Sequence, residues 1–146
     1  MSSRIAILVL AAVAAPVASA AALTKIADTG KASVWVDKDS IRRTGTQARA
    51  ALEWRWTTPT ALSDNPSKSY RMERQVQIAN CDNKSYAVAE GTQYADERGL
   101  DPVNSYRNDE QALPFTVAPP RTIRDAAVQY VCAYVPPAPA ASAAKK

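Results

Sequence analysis

The chain has 146 residues, 22% of them charged, with a formal net charge of +4 and no histidine. Without histidine it lacks the commonest general base, the commonest zinc ligand and the usual partner of a nucleophilic serine or cysteine. Its cations are scattered among acids rather than gathered in a stripe, which argues against nucleic-acid binding.

Met1 to Ala20 reads as a secretory leader. Arg4 precedes the apolar run Ile5 to Ala15, and Ala18-Ser-Ala20 offers a small-residue cleavage site. The apolar run is too short to span a membrane. No cysteine directly follows Ala20 and none precedes Cys81, so no lipid-attachment site is expected. No later stretch is long and apolar enough for a transmembrane helix. These features predict a periplasmic or secreted protein without stable membrane insertion. Residues 21–134 are long enough for one domain with one modest core. Residues 135–146 are almost all Ala and Pro, ending in Lys145 and Lys146, and are expected to be a disordered tail.

Leu23 to Ala27 fits a short first strand, followed by a turn at Asp28-Thr-Gly-Lys31. Ser33-Val-Trp-Val-Asp37 alternates and reads as a second strand. Asp39 to Arg42 reads as a connector leading to a turn around Gly45. Over Gln47 to Thr57, Ala48, Ala50, Leu52, Trp54 and Trp56 alternate with Arg49, Glu53 and Arg55, with Ala51 the exception among the charged positions. That is the period of a strand with one buried and one wet face, as in an antiparallel sheet. Trp54 and Trp56 fall on the apolar side and are assigned to the core rather than to a binding face.

Thr58 to Ser67 reads as a polar loop. Ser69 to Ala79 is the next strand, with Tyr70, Met72, Val76 and Ile78 on its apolar side and Arg74 interrupting them. Asn80-Cys-Asp-Asn83 is a tight turn, and Ser85 to Tyr94 returns. Ala95 to Pro120 is loop-like, with a short strand near Phe115 to Val117. The period then changes. Thr122 can cap a helix, Asp125 lies in its first turn, and Ile123, Ala126/Ala127, Tyr130 and Tyr134 have helical spacing. Pro136-Pro137 stops it.

The two cysteines, Cys81 and Cys132, are expected to pair, because exported thiols do so by default. The bond would close a loop of about fifty residues and stabilise the fold by roughly 4 kcal/mol. The alternative is two separately buried free thiols. Paired, the cysteines tie the end of a C-terminal helix to the tip of a β-hairpin. The predicted fold is α+β: an antiparallel sheet of five or six strands with that helix packed on it.

The order of features resembles the surface-adhesin protein E domain family of Gram-negative bacteria. The resemblance rests on Trp35-Val-Asp37 running into Asp39-Ser-Ile-Arg-Arg43, a strand ending at Asn80-Cys81, the return strand Tyr86-Ala-Val-Ala-Glu90, and Val131-Cys132 at the end of the helix. It covers about 23–134. It implies a sheet with a C-terminal helix held by the cysteine pair, and a non-enzymatic binding role. In some members that role is attachment to host matrix proteins. This chain departs from the lipid-anchored adhesins in lacking the anchor cysteine, and an unanchored adhesin cannot hold a cell to a surface.

No catalytic constellation, metal site or cofactor motif stands out. Asp28, Asp37 and Asp39 supply too few oxygens for calcium and read as turn residues. Asp96, Glu97 and Asp101 read as a solvated loop. Arg42 and Arg43 are candidates for contact with a partner, as are Tyr94, Tyr106 and Phe115 around loop 95–118. The function expected is an exported binding domain for a protein or envelope macromolecule of unknown identity. The alternative is a soluble periplasmic inhibitor or accessory protein of an envelope enzyme, with that loop inserted into a cleft.

Overall fold

The computed structural model describes residues 22–136. The leader read over 1–20 lies outside the described residues, as does the tail beyond Pro136. Seven strands form one antiparallel sheet: β1 (Leu23–Asp28), β2 (Ala32–Thr44), β3 (Gln47–Ala61), β4 (Ser69–Asn80), β5 (Ser85–Tyr94), β6 (Pro102–Arg107) and β7 (Thr116–Val117). They pair in chain order from β1 to β6, and β7 returns to the start of β5. A short 3-10 helix, Glu110–Ala112, lies between β6 and β7, and one α-helix, α1 (Ile123–Ala133), closes the described chain. No helix among the described residues is long and apolar enough to cross a membrane.

The strands follow from alternation and turn chemistry. Gly45, with φ +57°, supplies the left-handed residue of the β2–β3 turn. Val34, Val36, Ala48, Ala50, Leu52 and Trp54 are all buried and point to the face that α1 covers. Ala127 and Val131 pack onto them from the helix. Thr122 caps α1 by accepting from the Asp125 amide at 3.1 Å. The Cys81–Cys132 bond joins the β4–β5 turn to the last turn of α1, with Cα atoms 5.5 Å apart.

Four local expectations are corrected. Asp39 to Arg42 is not a connector but part of β2, where the register with β3 shifts. There the Ser40 hydroxyl accepts from the Ala51 amide at 2.8 Å, so a side chain fills the interrupted ladder. β3 runs on through Pro59 to Ala61, so the polar loop starts at Leu62. Loop 95–118 contains β6 and the 3-10 helix. The fourth correction concerns Tyr70 of β4, which does not share a side with Met72, Val76 and Ile78: past the register shift with β3 it meets Trp56 edge-on at 5.2 Å, beside the helix-covered core. The helix covers the polar side of β4, where Gln77, Gln75 and Glu73 pair with Ala50, Leu52 and Trp54.

Candidate functional site

The two faces of the sheet carry different chemistry. Under α1, the polar side of β4 is matched by one cation. Arg124 lies between the Trp54 ring at 3.9 Å and the Tyr86 ring at 4.6 Å. It donates to Gln77 Oε1 at 3.0 Å. With its oxygen turned toward them, the Gln75 amide accepts from Arg124 Nη1 at 2.8 Å and Trp54 Nε1 at 2.9 Å. Burial lowers the Arg124 pKa, while Tyr86 and Glu73 work against that shift.

Beside this cluster, Tyr106 of β6 donates its hydroxyl to Glu73 Oε1. The tyrosine ring lies across Gly91 of β5, where a Cβ would meet its hydroxyl oxygen at 2.6 Å. Burial first, then the Glu73 bond and charge, push the Tyr106 phenol far above its ordinary range.

On the opposite, open face a ladder of charges and rings crosses the strands. Lys25 lies over Trp35 at 5.1 Å, and Arg55 over the same ring at 4.8 Å. Glu53, with only 2% of its side chain exposed, takes Arg55 at 2.5 Å on one oxygen and Arg74 at 3.0 Å on the other. Arg74 stacks on Tyr94 at 5.3 Å, and the Glu53 bond raises the Arg74 pKa. Each ladder carboxylate or ring is thus met by a cation.

Two crossing segments rise over this face. Gly99 sits over Met72 and Arg74 at one end. Glu110 reaches Arg49 at 2.7 Å at the other. Between them lies a groove of about 930 Å³. Ala51 and Val76 line it together with Asp37, Glu53, Arg74, Glu90, Thr92, Ser105 and Arg107, and Leu23 lies at the β1 end. Arg107 and Glu90 pair at 2.5 Å, with the arginine side chain 81% exposed. The groove can offer ion-pair and hydroxyl contacts over a small apolar patch.

The candidate partner-binding residues are not gathered in one place. Tyr94 belongs to the open-face ladder and Tyr106 to the helix side. Phe115 is 39% exposed on the segment before β7. Arg42 turns back onto the Asp39 and Ile41 carbonyls. Arg43 donates to the Cys132 carbonyl at the end of α1. Asp37 accepts from the Asp39 amide inside β2, at the register shift with β3, rather than in a turn. Asp96 accepts from the amides of Arg98, Leu100 and Asp101. Burial raises its pKa, but those three donors outweigh it and leave the carboxyl below its ordinary range.

Sequence reasoning missed the groove, although two signals for it were present. Glu53 is a lone acid beside Arg55 on an otherwise cationic strand face, and Arg74 interrupts the apolar side of β4. These two irregularities pair with each other.

The molecule is a one-sheet, one-helix α+β domain with the helix bonded across one face and a charged groove on the other. The chain belongs to the surface-adhesin protein E family, whose family model matches residues 23–133. Solved structures of Haemophilus influenzae protein E share the fold at 18% identity. One has a TM-score of 0.52 and covers 83% of this chain and 91% of its own. Crystal form II has a TM-score of 0.54 and covers 83% and 94%. Among curated proteins, none matches the sequence.

Proposed function

We propose that this chain is an exported, non-enzymatic binding domain whose partner, a protein or envelope macromolecule, docks in the open-face groove. The observation that carries this reading is the groove itself, set in a chain of a surface-adhesin family. Its rim offers Asp37, Glu90 and Arg107, and its middle is low and apolar at Ala51 and Val76. Glu53 and Glu90 are already engaged by arginines, which suits a recognition surface better than proton transfer. An exported location rests on the leader pattern and agrees with the disulfide.

The inhibitor reading needs a loop free to enter a cleft. Segment 95–118 is instead tied down by Glu97 to Arg71, Glu110 to Arg49, and β6 and β7 pairing with β5. This favours a face over a loop as the contact element.

The test is binding of the leader-free domain to fractionated envelope and host matrix proteins, with Val76→Arg filling the groove. Binding lost in this variant at unchanged melting temperature supports the reading. Binding that survives it, or that requires turnover of the bound molecule, overturns it.

A further inference from the structure

A second, smaller cavity lies at the far end of α1 from Thr122. The Cys81–Cys132 disulfide lines it, with Arg43, Lys84, Val128 and Gln129, and its volume is about 420 Å³. Both cysteines are half-buried rather than sealed in the core. None of the lining residues is acidic. Arg43 is fixed in place because its Nη1 donates to the Cys132 carbonyl at 2.6 Å. Lys84 is set by the tight β4–β5 turn, where it takes the left-handed φ of 55°.

We infer that this cavity is a thiol–disulfide exchange site for anionic thiols, which become attached to Cys132. The incoming thiolate attacks Sγ of Cys132. A new S–S bond forms there as the Cys81–Cys132 bond breaks, and the bonding pair leaves on Sγ of Cys81. The step is redox-neutral and needs only the thiol. Cys132 lies in the last turn of α1, where unsatisfied carbonyls carry partial negative charge and disfavour a thiolate. Cys81 lies in the turn, and Arg43 and Lys84 favour a leaving thiolate in this cavity. The same two cations concentrate an approaching anion.

The fold survives the exchange. Ala127 and Val131 remain in the core, Arg124 stays between Trp54 and Tyr86, and Thr122 keeps its cap. Only the C-terminal turn of α1 is released.

The test uses the oxidised, leader-free domain and three thiols at equal thiolate concentration: mercaptoethanesulfonate, 2-mercaptoethanol and cysteamine. Exchange is followed by intact mass, with rapid alkylation to trap Cys81. The anionic thiol should react on the order of ten-fold faster than the cationic one at low salt. The gap should close at high salt. Lys84→Glu should lower or reverse the preference, and mapping should find the adduct on Cys132. Equal rates for all three thiols overturn the inference. So does exchange that occurs only with added urea, or an adduct on Cys81. The melting temperature of oxidised Lys84→Glu checks that the variant is folded, and salt dependence in the unsubstituted protein gives a second reading free of any variant.

Discussion

Tyr106 reaches Glu73 across Gly91, so a residue of β6 touches β4 over the intervening strand. The contact exists because glycine leaves the pleat empty at that point. A side chain at position 91 must displace the ring. Gly91→Val should therefore destabilise the domain by about 1–3 kcal/mol. Urea melts check this, and in a Tyr106→Ala background the same substitution should cost far less.

The same pair predicts a loss of stability in alkali. Tyr106 in the folded state holds its proton well above the ordinary phenol pKa of 10.0. A group with a raised folded pKa contributes stability that is intact below the unfolded value and lost as pH rises toward the folded one. Tyr70 is shifted the same way, by burial first and then by Glu73. Stability should thus hold to about pH 9 and fall above pH 10. Short-exposure urea melts between pH 8 and 11 would show the slope, and Tyr106→Phe should flatten it.

Glu53 bridges Arg55 and Arg74 from a buried position, while both arginines keep partial access to water. Glu53→Ala should cost about 1–3 kcal/mol, since it leaves two guanidinium groups unpaired over a sheet face. Arg74→Ala should cost less, because its head is half in solvent and Arg55 still holds the carboxylate. Thermal melts of the two variants and their double mutant test the order.

Arg124→Met should destabilise by about 2 kcal/mol even though it places an apolar residue in a core. The loss comes mainly from Gln77, whose buried amide oxygen would be left without a donor, while the Gln75 oxygen would keep only Trp54 Nε1. Adding Gln75→Leu and Gln77→Leu should recover part of it, as judged by the urea midpoint.

Cys132→Ser opens a loop with a sequence separation of 51. It should cost roughly 4 kcal/mol on the loop-entropy view. The strand signal in far-ultraviolet circular dichroism should persist at low temperature, because the sheet is closed by its own pairing.

The fold class, the helix and the sulfur bond were legible in the sequence. β3 shows why: Ala48, Ala50, Leu52 and Trp54 alternate with Arg49, Ala51, Glu53 and Arg55, and all four are buried. β4 shows the limit. Its alternation separates Met72 and Ile78 from Glu73, Gln75 and Gln77, but period two does not say which side a helix will cover. The answer depended on Arg124, a residue 47 positions away from Gln77. The segments over Met72 and Arg49 bury the other side in part, so both faces are partly closed. The groove lies where those segments leave a gap. That gap depends on long-range pairing of Arg49 with Glu110 and Arg71 with Glu97, which no local pattern records.

The sulfur bond also decides how the domain bears a load. The chain leaves α1 beside Cys132, so a pull applied through the exposed Val135 meets the bond to Cys81 before it reaches the body of the helix. Tension passes straight into the β4–β5 turn and along the two strands, β4 and β5, that meet there. The Cys81 amide, held to the Thr46 carbonyl, shares it with the β2–β3 turn. The helix hangs slack on this route, and the sheet takes the strain along its strands.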